Sequence, residues 1–304
     1  MKLKKARKIK MNKIRIITDS GSDITPKRAE ELGIRLIPIS FTFDGEKYYR
    51  SGIDMPLEEF YERLSDSSVI PKTTQVSPAE MEDVFNEELD RGYETLIYVS
   101  ISSNGSGMYQ NAVLTAREVM ENRGGEIIVV DSQGFTCIYG APVIHAAKMV
   151  SAGESKEAVL DYLNDAFSTM RSLFLVGDLK HLKKGGRINT ATLLLANMLD
   201  IKPVLTVSGG LVVQKDKLRG NKRHLRKLVA LAADEGVDLS NRSAIIVHTL
   251  QPEKRDELKA ELEEKFPGVR VYECPIGTII GSHGGGDLVG FVYSEKYDFD
   301  DYEG

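Results

Sequence analysis

Apolar positions follow two rhythms along the first half of the chain. Short β-branched runs, Ile14 to Thr18 (IRIIT), Ile34 to Ile39, Thr95 to Ile101 (TLIYVSI) and Glu126 to Val130, read as strands, and longer stretches of helix formers separate them. Helices are expected from about Pro56 to Leu64, Pro78 to Asp90, Met108 to Asn122, Phe135 to Val150 and Lys156 to Met170. Thr25-Pro26 caps a shorter one that stops at Gly33. Ser77, Pro78 and Glu80 combine a capping box with proline at the first helical position, which marks that boundary well. Asp44-Gly45, between Phe41-Thr-Phe43 and Tyr48-Tyr49, is a hairpin signal. Strands alternating with helices argue for a parallel sheet with right-handed crossovers.

The rhythm changes near Ser172. Leu173 to Val176 reads as a strand, Thr190 to Leu199 as an apolar helix, and Val204 to Val207 with Leu211 to Gln214 as a strand pair around Ser208-Gly-Gly210. A basic helix from about Lys222 to Ala233 follows, then Ala244 to His248, a helix from about Glu253 to Phe266, and strands Val269 to Glu273 and Leu288 to Tyr293. Single cores stop growing beyond roughly 250–300 residues, so 304 residues imply two domains. The expected architecture is α/β throughout: an N-terminal domain over 13–172, mainly parallel sheet flanked by helices, and a C-terminal α/β domain over 173–294. Residues 1–12 and 295–304 are expected to be disordered basic and acidic tails.

The net charge of -5 hides an asymmetry, because Met1 to Lys13 carries seven Lys or Arg and no acid. Without those seven the balance falls to about -12, which argues against nucleic acid as a partner of the folded body. The basic arm has no apolar segment behind it and is not a secretory signal. The basic helix, Lys222 to Lys227, is a docking or membrane-surface face or, the favoured reading, simply a solvated one. Cys137 and Cys274 match no metal spacing and read as unpaired thiols of a reducing compartment. No apolar run reaches bilayer length, so a cytoplasmic protein with no transmembrane segment is expected.

Candidate chemistry gathers where strands end. Ser100-Ile-Ser-Ser-Asn-Gly-Ser-Gly-Met-Tyr-Gln-Asn-Ala112 is a strand-to-helix turn, and a helix start offers unpaired N–H groups and partial positive charge to an anion. Gly105 and Gly107 allow close backbone approach, and Ser102, Ser103 and Ser106 add hydroxyls, although serines before a helix also serve as plain caps. Thr73-Thr74, Gly185-Gly-Arg187 and Ser282-His283 need a purpose too, and the Gly-rich surroundings of His283 suggest an exposed loop. Asp19 and Asp131 could ligate a metal or cap turns; no metal site is expected. A serine hydrolase with Ser106 as nucleophile, His283 as base and Asp19 or Asp131 behind it is an alternative, but Gly105-Ser106-Gly107 lacks nucleophile-elbow spacing. No Walker-type run supports a nucleotide site.

Taken in order, Ile17-Thr-Asp-Ser20, Thr73-Thr-Gln-Val-Ser77, Ser102 to Gln110, Val130-Asp-Ser132, Leu182-Lys-Lys-Gly-Gly-Arg-Ile188, Lys202-Pro203 and the His283 segment resemble the DegV family of bacterial lipid-binding proteins, over nearly all of Asn12 to Tyr293. The resemblance implies a two-domain fold with a long-chain fatty acid such as palmitate, stearate or oleate buried between the domains, and no other cofactor. In some members it implies a non-catalytic subunit that presents the acyl carboxylate to an ATP-using fatty acid kinase catalytic subunit. It places ligand-binding roles on Thr73, Thr74, Ser103, Ser106, Gly107, Met108, Arg187 and His283. The chain departs from the family pattern at Val76, usually proline, at Met108, usually threonine, and at Gly284-Gly-Gly286, where a proline is usual.

Overall fold

The computed structural model describes residues 13–66, 70–188, 201–220 and 222–302. The N-terminal part runs β1 (Ile14–Asp19), α1 (Pro26–Glu31), β2 (Arg35–Ile37), β3 (Ser40–Thr42), β4 (Tyr49–Arg50), α2 (Leu57–Leu64), β5 (Lys72–Thr74), α3 (Pro78–Asp90), β6 (Thr95–Ser100), α4 (Met108–Arg123), β7 (Glu126–Asp131), α5 (Cys137–Ala152) and α6 (Lys156–Thr169). The C-terminal part runs β8 (Met170–Val176), α7 (Lys180–Gly185), β9 (Ile201–Ser208), β10 (Leu211–Arg219), α8 (His224–Asp234), β11 (Ser243–His248), α9 (Pro252–Lys265), β12 (Arg270–Pro275), α10 (Thr278–Gly284) and β13 (Leu288–Ser294).

The first sheet is parallel, in the order β2-β1-β6-β7. Its central strand β6 is buried from Leu96 to Ser100, as its unbroken apolar run requires of a strand covered on both faces. From β1 the chain reaches β2 on one side and β6 on the other, so a crevice opens at the carboxyl ends of β1 and β6. A small antiparallel sheet, β4-β3-β5, stands beside that crevice and carries Thr73 and Thr74.

The second sheet is mixed, in the order β10-β9-β8-β13-β11-β12. Alternation gives it two apolar faces. Leu173, Leu175, Ala244, Ile246, Val289 and Phe291 pack with Leu228 of α8 and Leu258 and Leu262 of α9. Phe174, Val176, Ile245, Val247, Leu288 and Val292 point the other way and join the core of the N-terminal part.

The α/β class and the parallel first sheet match expectation, and the strand pair β9 and β10 is longer than the pattern indicated. The expected helix from Thr190 to Leu199 and the basic tail 1–12 lie outside the described residues. Two expectations are corrected. The segment around His283 is helical, forming α10. Residues 295–302 are not a solvated tail: Phe299 and Tyr302 are buried. The acids of this segment pair with both parts, Asp301 with His145 and Lys148, Asp298 with Arg242, and Asp300 with Arg270.

Candidate functional site

The turn from Ile101 to Gly107 is held from three directions. Asp19, fully buried, accepts hydrogen bonds from Ile101 N–H (2.9 Å), Tyr98 OH (2.9 Å), Tyr139 OH (2.7 Å) and Gly21 N–H (3.0 Å). Burial pushes its pKa up while these donors oppose the shift. Ser103 donates through its hydroxyl to Asp131 Oδ2 (2.6 Å) and through its N–H to Asp131 Oδ1 (3.0 Å). From the C-terminal part, Gly210 C=O accepts from Ser102 Oγ (2.7 Å), Gly209 C=O accepts from Asn104 Nδ2 (2.8 Å), and Arg187 Nε donates to Gly105 C=O (2.9 Å). The glycine at 105 is required, because a Cβ would fall 2.5 Å from the Phe135 ring.

Beside this turn lies a cavity of about 230 Å³ between the two sheets. Ile39, Ile101 and Ile138 line it from the N-terminal part, Phe174, Val207, Val247 and Val292 from the inner face of the second sheet, and Ile276, Ile279 and Leu288 near α10. Its polar lining includes Thr73, Thr74, Gln75, Ser106, Arg187 and His283. Thr73 Oγ1 and His283 Nε2 share a hydrogen bond at 2.9 Å. Ser106 Oγ accepts from Met108 N–H at 3.3 Å, which leaves its own proton to donate. Thr74 Oγ1 makes a long bond to Ser40 C=O, at 3.4 Å.

Arg187 supplies the charge. Among the described residues no carboxylate pairs with it; its bonds go to the carbonyls of Gly105 and Gly185. Burial lowers its pKa from the ordinary value, but a guanidinium keeps its charge in a protein. His283 is neutral at pH 7, its pKa pushed down to about 4 by burial, with the nearby Arg187 guanidinium adding to the effect. Among the described residues the site therefore offers one cation without a carboxylate partner, several hydroxyls and a helix start, an arrangement suited to a single anionic group at the end of an apolar cavity.

Of the eight sequence-derived positions, Thr73, Thr74, Ser106, Arg187 and His283 line the cavity together. Gly107 stands next to them at the helix start, where α4 receives no side-chain cap from it. Ser103 and Met108 do not line it. The Ser103 hydroxyl is committed to Asp131, and the fully buried Met108 turns inward, its Sδ accepting from Val76 N–H at 3.4 Å. Two of the three expected departures from the family pattern are thus partners: Val76 has an N–H that proline lacks, and the Met108 thioether accepts it. Gln75, which the sequence reading passed over inside Thr73 to Ser77, lines the cavity instead.

The hydrolase arrangement is absent. His283 bonds Thr73 rather than Ser106, Asp19 is occupied by Tyr98 and Tyr139, and Asp131 by Ser103. Among the described residues no cluster of three or more His, Cys, Asp or Glu side chains could hold a metal ion, and no helix is long and apolar enough to cross a membrane.

Comparison with known proteins places the fold. Residues 13–296 match the family described as "Uncharacterised protein, DegV family". A DegV domain-containing protein of Caldanaerobacter subterraneus subsp. tengcongensis is 34% identical over 286 residues, covering 94% of this chain and 100% of its own. Among solved structures, a DegV family protein from Thermus thermophilus, described for its fatty acid binding, superposes with a TM-score of 0.80 at 30% identity, covering 92% of this chain and 99% of the other. A stearic acid-binding protein from Eubacterium ventriosum gives a TM-score of 0.82 at 26% identity, covering 92% and 97%. With a family match spanning most of its length and full-length relatives at this identity, the chain belongs to the DegV family.

Proposed function

We propose that this protein binds one long-chain fatty acid, its tail in the cavity between the two sheets and its carboxylate at Thr73, Thr74, Ser106, the Gly107 N–H, Arg187 and His283. The observation that carries this is an apolar cavity ending at an arginine for which the described residues supply no carboxylate. The ligands of the related structures support it. About fifteen methylenes at roughly 0.8 kcal/mol each yield on the order of 10 kcal/mol before ordering costs. A hydrogen bond to the charged head group adds about 1.5–3 kcal/mol. The tail supplies affinity and the head group sets orientation.

The proposal extends to presentation in the cytoplasm: a bound carboxylate oxygen attacks the γ-phosphorus of ATP held by a separate fatty acid kinase catalytic subunit, ADP leaves, and an acyl phosphate forms. Thr74, Ser106 and Gly107 are only partly buried, which is what access to such a partner requires. Delipidated protein is expected to take up about one equivalent of oleate and, with ATP and a fatty acid kinase catalytic subunit, to yield acyl phosphate. Ser106→Ala and His283→Ala should depress acyl phosphate formation more than uptake, because tail burial survives both. Absence of uptake contradicts the binding role; uptake without acyl phosphate contradicts presentation alone.

A further inference from the structure

Gln75 sits between β5 and the cap of α3, exposed to solvent yet lining the cavity. Its amide lies flat against the start of α4: a Cβ at Gly107 would fall 2.7 Å from Gln75 Cδ and Oε1, and nearer still to Nε2. The backbone that places it is docked at both polar groups of the next residue. Val76 N–H donates to Met108 Sδ (3.4 Å), and Val76 C=O accepts from Asn111 Nδ2 (2.7 Å). Among the described residues the Gln75 amide has no hydrogen-bond partner of its own, although it stands beside Thr74, Ser106 and the helix-initiating Gly107. An amide with two free donors, fixed over the backbone that begins an anion site, has an evident use.

We propose that Gln75 stands at the outer rim of the head-group site, its NH₂ donating to the bound carboxylate from the solvent side. This rests on the fatty-acid reading and identifies the favoured ionisation state of the ligand: the site holds the carboxylate more tightly than the protonated acid or an ester, whose tail still fills the cavity. Glutamate has the same shape, but its charge faces a like charge. Glycine at 107 is then required because any side chain there displaces the amide.

The test measures oleate and methyl oleate binding to delipidated wild-type protein, Gln75→Glu, Gln75→Ala and Gly107→Ala, with thermal unfolding to verify folding. Gln75→Glu is expected to weaken oleate binding about tenfold or more while leaving methyl oleate binding unchanged. Gln75→Ala and Gly107→Ala should each cost about three- to tenfold for oleate, chiefly as faster release. If Gln75→Glu binds oleate as the wild type does, or loses oleate and methyl oleate equally, the assignment of Gln75 is overturned while the fatty-acid reading stands. If the wild-type protein takes up no oleate, both fall.

Discussion

His283 and Arg187 divide the work of the site: one is a fixed cation, and the other a neutral ring held by Thr73. The ring's pKa of about 4 lies below its ordinary 6.5, so between those values the unfolded chain holds a proton that the fold refuses. Stability therefore rises with pH across that window and is lost on acidification through it. Urea unfolding at pH 4.5 and 7.5 should show a larger acid loss for wild-type protein than for His283→Gln. A bound carboxylate reverses part of the effect, since an opposite charge favours the imidazolium. The His283 titration midpoint, followed by the NMR shift of its ring proton, should move upward when oleate is added. An unperturbed midpoint near 6.5 in the free protein would contradict the buried placement.

The elements that make the site were legible to different degrees. The capping box at Ser77 and the start of α4 at Met108 follow from local sequence, and the strands expected to end at Thr18 and Ile101 end one residue away, at Asp19 and Ser100. The helix α10 was not legible, because each glycine in its sequence disfavours a helix by about 1 kcal/mol. Packing decides the matter there: a Cβ at Gly281 would fall 2.7 Å from Tyr61 OH, so the residue that weakens the helix lets it dock against α2. The Ser103 hydroxyl turns away from the cavity because Asp131, distant in sequence, takes it. Asp19 shows the same long-range control, joining β1, β6, α5 and the first residue of the functional turn. Asp19→Ala leaves two buried hydroxyls and two N–H groups without their acceptor and is expected to cost roughly 3 kcal/mol or more. Denaturant unfolding measures it, with faster oleate release expected from the loosened turn; a cost within about 1 kcal/mol would show that the network does not hold the turn.

On the scale of the whole molecule, the cavity exists because two sheets each leave an apolar surface facing the same seam. The seam is closed by polar bridges at the Ile101 to Gly107 turn, through Ser102, Asn104 and Arg187, and by the C-terminal segment, whose Asp301 holds the first part while Asp298 and Asp300 hold the second. Such an arrangement can enclose a long apolar chain while keeping one end near solvent. Native mass spectrometry of the purified protein, set against a denatured control, tests this most directly. The account predicts a native mass exceeding the denatured mass by that of one long-chain fatty acid, with the lipid recovered in the organic extract. A native mass equal to that of the bare chain, persisting after incubation with palmitate, stearate or oleate, would contradict it.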